Sequence, residues 1–167
     1  MTAPAALTES DLEEFCRRHG VPARLYRLGV PTPTVPDAAA AVGTEPGRIV
    51  KSLVFLALGE PLLVVAAGES RVSYPLLAAA LGVGRKQVRF ASPEEALLVT
   101  GYRVGAMPPF GHLRQLPTLV DEVTVPASGA VFGGGGGVSA LIEVEAAVLH
   151  EVTRARRVPL TRAGGAG

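Results

Sequence analysis

The chain has 167 residues, 48% of them hydrophobic but only 5% aromatic, with no tryptophan and a formal charge of +1. That length suits one domain burying roughly 70% of the surface its unfolded form exposes, around an aliphatic core of Ala, Val and Leu. The few aromatics argue against a broad base-stacking platform and the low charge against a domain that holds a long duplex, so DNA is not an expected partner; a small contact on the end of a nucleic acid stays open.

Cys16 is the single cysteine, which rules out an internal disulfide and a cysteine-rich metal cluster and fits a reducing cytoplasm. His19, His112 and His150 are scattered without metal-ligand spacing, so no metal site is expected. The N-terminus lacks the basic start and apolar stretch of a secretory leader, and the longest apolar run, residues 53–58, is too short to span a bilayer. The expectation is a cytoplasmic protein without a membrane partner.

In chain order, Ser10-Asp11-Leu12-Glu13 reads as a capping box, and Leu12, Phe15, Cys16 and His19 fall on one helical face before Gly20. Cys16 and His19 read there as packing residues, since no base or acid neighbours them. Residues 24–28 read as a first strand and residues 29–36, with three prolines, as a loop. Thr34 then caps a small alanine-rich helix over 35–42. Two apolar strands, 48–58 and 62–67, flank the turn Gly59-Glu60-Pro61. Ser73 caps a helix running to Leu81, residues 88–90 form a brief strand, and Ser92-Pro93-Glu94-Glu95 opens a helix that Gly101 closes.

An irregular stretch, 102–115, precedes two extended segments at 118–125 and 130–132. Five consecutive glycines follow, then a strand over 140–144 and a last helix over 145–151. Arg154, Arg156 and Arg157 make a solvated basic stretch that adds weak attraction to RNA phosphates. Strands and helices interleave without a βαβ repeat. The expected architecture is one α+β domain over 1–167, a mixed sheet with flanking helices and loose tails at 1–7 and 163–167.

Lys51 stands out because the chain has 14 arginines and two lysines, and this one interrupts an apolar strand. Period-two alternation places it with Ile49, Leu53 and Phe55, so its amine either emerges from an apolar wall to grip a polar substrate group or snorkels to water. Gly105-Ala106-Met107-Pro108-Pro109 is either a stiff pocket wall or an ordinary proline turn. His112 has no carboxylate placed to orient it and reads as a surface histidine. Gly133 to Gly137 is either an anion cradle or a flexible hairpin tip; it lacks the Lys-Ser/Thr ending of a P-loop.

Taken together and in order, Ile49-Val50-Lys51-Ser52-Leu53-Val54, Thr100-Gly101-Tyr102-Arg103-Val104-Gly105 with Pro108-Pro109-Phe110-Gly111, and Leu116-Pro117-Thr118-Leu119-Val120-Asp121 resemble the YbaK family of tRNA editing domains. That family is also found inserted in bacterial prolyl-tRNA synthetases. The resemblance runs from about Leu12 to about Leu160. It implies a mixed sheet curled into a pseudo-barrel. It also implies hydrolysis of the ester between a wrong amino acid and the terminal adenosine of a tRNA, with no metal or organic cofactor.

By the same resemblance, the partners are the acceptor end of a mischarged tRNA, of the tRNA(Pro) type, and prolyl-tRNA synthetase. Lys51 would orient the aminoacyl-adenosine end, and Gly105, Ala106, Met107, Pro108 and Pro109 would wall the amino-acid pocket. The backbone of Gly133, Gly134 and Gly135 would close its far side, and Tyr26 falls where some relatives carry an aromatic near the substrate. The tRNA's terminal ribose hydroxyl, or the substrate side chain, would help the attack. Relatives that clear cysteine carry a Ser beside Gly-Gly and an Asp shortly after, where this chain has Gly and apolar residues. The competing reading is a non-catalytic module that holds the tRNA end or a synthetase.

Overall fold

In the computed structural model, which describes residues 5–162, helix α1 (Glu9–His19) begins earlier than the capping pattern at Ser10 suggests. Thr8 is its cap, with its N–H 2.7 Å from the Asp11 carboxylate, and Gly20 ends the helix at φ 63°. The local signals elsewhere set the ends of α2 (Val35–Val42), α3 (Tyr74–Leu81) and α4 (Pro93–Thr100). Thr34, Ser73 and Ser92 each accept a backbone N–H, and Gly43, Gly82 and Gly101 adopt the left-handed conformation.

Strands β2 (Val50–Ala57) and β3 (Glu60–Ala67) pair antiparallel through Leu58-Gly59, whose φ values of 51° and 80° are those of a twist-matched hairpin turn. The turn is therefore one residue earlier than the Gly-Glu-Pro pattern suggests, and Pro61 lies in the strand opposite Leu56. Strands β4 (Val88–Phe90), β5 (Thr118–Asp121) and β8 (Arg156–Val158) complete a five-stranded mixed sheet in the order β4-β2-β3-β5-β8. A separate antiparallel sheet has the order β1-β7-β6, from β1 (Ala23–Arg27), β6 (Ala130–Gly134) and β7 (Ala140–Glu145). Helix α5 (Ala146–Thr153) follows β7 directly.

Alternation along β2 and β3 sends residues to two cores. Phe55, Leu62 and Val64 pack with Leu77 and Ala78 of α3, whereas Val54, Leu63 and Val65 pack with Val131, Ile142 and Leu149 and with Leu12 of α1. The five-stranded sheet thus lies between α3 on one side and the three-stranded sheet with α1 and α5 on the other. Each fully buried Val or Leu contributes roughly 1.5–3 kcal/mol by leaving water. The mixed α+β architecture is as expected. The expected pseudo-barrel does not close: among the described residues the two sheets are joined by one parallel bridge, Ile49 to Phe132.

Three further expectations change. The segment 118–125 is extended only to Asp121, because the Asp121 carboxylate accepts the N–H groups of Val123 and Thr124 and bends the chain. The same buried carboxylate accepts the Leu160 N–H at 2.8 Å and the Thr161 hydroxyl at 2.7 Å, tying the C-terminal segment to β5. The basic stretch contains strand β8: Arg156 donates to the Ala80 carbonyl and Arg157 to that of Val125, so these two are not simply solvated. Of the expected loose tails, residues 1–4 and 163–167 lie outside the described residues; Leu7 is held, its N–H 2.7 Å from the Gly101 carbonyl.

Candidate functional site

The loop 105–109 and the glycine run are one packed unit. Ala106, Met107, Pro108 and Pro109 are buried, while Gly105 is exposed at φ 93°. A β-carbon on Gly134 would stand 2.2 Å from the Met107 carbonyl oxygen, and one on Gly133 would stand 3.0 Å from Pro109 Cδ and 3.2 Å from Val50 Cγ2. Glycine is required here for close approach of two backbones, a reason distinct from turn flexibility.

The remaining glycines are committed as well. The Gly136 N–H donates to the Ala106 carbonyl at 2.8 Å and the Gly135 N–H to that of Ala140 at 3.0 Å. Gly136 and Gly137 pack on Thr8 and Glu9 at the start of α1. The run ends β6 and enters the β6–β7 hairpin turn. This hairpin tip packs on the 105–109 loop and on the start of α1, and its amides at 135 and 136 are engaged within the protein.

Lys51 is half-buried on β2, next in sequence to the Val50 that touches this seam, and pairs with Ala66. Its strand neighbours Leu53 and Phe55 pack in the α3 core and Val50 in the other, so the expected alternation holds for those residues. Ile49 precedes the strand and joins Phe132 in a third cluster. The ammonium donates to the Ser70 carbonyl, and the Ser70 hydroxyl in turn donates to the Ala67 carbonyl at 2.7 Å. Burial, then the Arg71 charge, lowers the Lys51 pKa, against a smaller opposing pull from Glu69. Among the described residues the ammonium has this one carbonyl as its hydrogen-bond partner.

Tyr26 sits on β1, with its ring centroid 6.1 Å from that of Phe132 and the Arg24 guanidinium 4.9 Å over its face. Its hydroxyl donates to Glu143 of β7 at 2.5 Å, which, with burial, raises its pKa. The structure therefore brings the loop, the glycines and Val50 into direct contact. Tyr26 reaches the same sheet through Phe132, whereas the Lys51 ammonium bonds to Ser70 and not to the loop.

Sequence reasoning passed over three groups. Glu143, the partner of Tyr26, looked like one residue of an ordinary strand. The Ser52 hydroxyl is buried without a hydrogen-bond partner, one residue from Lys51; an orphan of this kind costs about 1–3 kcal/mol unless a water or ligand reaches it. His112 is not a surface histidine. It is partly buried, with Nε2 2.8 Å from the Pro108 carbonyl. A cavity of about 440 Å³ lies behind the loop, between α1 and α5, lined by Phe15, Pro109, Phe110, His112, Val148 and Glu151 among others. Of the residues singled out for substrate binding it includes only Pro109.

The aminoacyl-tRNA editing domain family matches residues 30–151. The chain is 33% identical over 119 residues to the uncharacterized protein YwhH of Bacillus subtilis (strain 168), covering 71% of this chain and 73% of that one. It is 29% identical over 89 residues to a proline–tRNA ligase of Acidithiobacillus ferrooxidans, covering 53% of this chain but 15% of the ligase. A crystal structure described as a candidate trans-editing enzyme for prolyl tRNA synthetase superposes with a TM-score of 0.83 at 30% identity, over 98% of this chain and 100% of the other.

Proposed function

The chain belongs to the aminoacyl-tRNA editing domain family, and we propose that it hydrolyses the ester of a mischarged aminoacyl-tRNA, acting in trans on tRNA(Pro)-type substrates. The observation that carries this reading is the seam between residues 105–109 and the glycine run, with Val50 against it and Lys51 next in the strand. Two segments 28 residues apart in their first glycines, neither convincing alone, pack as one seam against Val50, and Lys51 follows Val50 on the other face of β2. The similarity to a candidate trans-editing enzyme across both whole chains supports the choice of tRNA(Pro) and of action in trans.

The chemistry suits these residues. An aminoacyl ester is already activated, so water attack on its carbonyl carbon, with departure of the ribose oxygen, needs positioning and charge stabilisation more than a protein nucleophile. Lys51 would leave the Ser70 carbonyl to bind a phosphate or ribose oxygen of the acceptor end. The 105–109 loop would wall the amino acid, and the ribose hydroxyl next to the ester would assist the attack. Cys16 is unsuited to act as a nucleophile, because burial, then the Glu13 charge, pushes its thiol up to about 11. Incubation with a panel of mischarged tRNAs tests the reading: release of an amino acid from at least one, faster than spontaneous hydrolysis, is expected. A protein that binds the acceptor end yet releases nothing would favour the non-catalytic module.

A further inference from the structure

We propose that His112 is a positioning residue, an imidazole clasp that fixes the Pro108 carbonyl and so holds the 105–109 loop in its working shape. The inference rests on the reading of that loop as the pocket wall. It starts from how the loop is held. The Ala106 carbonyl accepts the Gly136 N–H at 2.8 Å, and the Met107 carbonyl lies against the bare Cα of Gly134. The Pro108 carbonyl is fixed by His112 Nε2 at 2.8 Å. Three successive carbonyls are thus fixed, two by backbone and one by a side chain.

A carbonyl only accepts, so Nε2 must carry the proton. Burial lowers the His112 pKa below its ordinary value, against the opposing pull of the Pro108 bond, which leaves the ring neutral near pH 7. The clasp is itself anchored. The next residue, Leu113, donates its N–H to the Thr100 carbonyl at 2.9 Å at the end of α4, and the imidazole meets the buried Tyr102 ring edge-on at 6.1 Å between centroids. His112 also lines the cavity behind the loop together with Pro109 and Phe110. Pro109 is the one residue of the 105–109 loop that borders this cavity, so the His112 bond holds the loop where packing gives way to open space.

The test compares wild type with His112→Leu, which removes the donor, and His112→Gln, whose amide N–H reaches about as far from the backbone. Hydrogen exchange of the peptide covering residues 103–111 reads the loop directly. His112→Leu should speed exchange there while leaving the β2–β3 hairpin unchanged, and His112→Gln should restore most of the protection. On a deacylated substrate, kcat/KM should fall about three- to tenfold in the leucine variant, the effect of one neutral hydrogen bond, and recover in the glutamine variant. Unchanged loop exchange in His112→Leu, or a glutamine variant as defective as the leucine one, would overturn the proposal. Should the leucine variant fail to fold, the imidazole nitrogen spectrum of the wild type decides: a neutral ring protonated at Nε2 is required, and protonation at Nδ1 alone refutes the clasp. A wild type without deacylase activity would end the editing reading and leave the exchange and spectral tests of His112 in force.

Discussion

Substitution of Gly134 by alanine tests whether the glycine run is a packing seam. The added methyl would stand 2.2 Å from the Met107 carbonyl oxygen, 2.8 Å from its carbon and 3.1 Å from the Ala106 carbonyl carbon. All three are backbone atoms, so no side chain can swing aside, and restoring ordinary contact requires the loop and β6 to part by about 1 Å. Overpacking of this kind costs roughly 1–3 kcal/mol, which for a domain of this size lowers Tm by about 2–4 °C per kcal/mol. If the loop walls the pocket, a displacement near 1 Å also lowers turnover by up to about 100-fold. Thermal melts and single-turnover deacylation, run beside Gly47→Ala as a control with no atom within 4 Å of its new methyl, give the comparison. A Gly134→Ala protein that melts and reacts like the control would refute the seam.

Gly105 is open on the side where its β-carbon would point, but its φ of 93° strains any other residue. Gly105→Val should therefore lose about 1–2 kcal/mol of stability and, beyond that, turnover, read by the same two assays. Asp121→Asn should lose about 2–3 kcal/mol at pH 7, because five donor contacts converge on the carboxylate. Burial raises the Asp121 pKa, but the donors, Thr124 foremost, outweigh it and leave the value lowered from 3.8. The folded value lies below the unfolded one, so this stabilisation is complete above about pH 3.8 and fades as pH falls through the folded value. Urea unfolding at stepped pH should show wild type and variant converging only in that acid range. Cys16→Ala, with its thiol protonated in wild type, and exhaustive chelation should each leave deacylation within about twofold; loss in either would reject a thiol-free, metal-free mechanism.

Local signals with short-range causes were legible in the sequence. The caps at Thr34, Ser73 and Ser92 and the stop at Gly101 were read at their observed places, since each depends on residues within one turn. What escaped depends on partners far along the chain. Strand β8 is three residues long and basic, and it exists because β5 offers a parallel edge and Asp121 holds Leu160 and Thr161. The division into two sheets joined at Ile49 and Phe132 has no local signature either. At the site, Lys51 was visible as the lysine in an apolar strand and the 105–109 loop as a Gly-to-Pro motif. The meaning of the glycine run was hidden, because its requirement for no side chain is imposed by Met107 and Pro109. His112 was misread for the opposite reason: its partner is a backbone carbonyl, which sequence does not advertise.

The most direct test of the account is single-turnover deacylation of a mischarged tRNA(Pro) by wild type and Lys51→Ala, each beside a thermal melt. Lys51 is half-buried and its ammonium bonds only to the Ser70 carbonyl among the described residues, so truncation opens no large cavity and should shift Tm little. Loss of a charge-assisted contact to the acceptor end is worth roughly 1.5–3 kcal/mol, or about ten- to hundredfold in kcat/KM. Lys51→Arg should recover only part of it, since a planar guanidinium is broader than an ammonium. A wild type that releases the amino acid and a well-folded Lys51→Ala that does so at least tenfold more slowly is the predicted result. An alanine variant that melts and hydrolyses like wild type would contradict it.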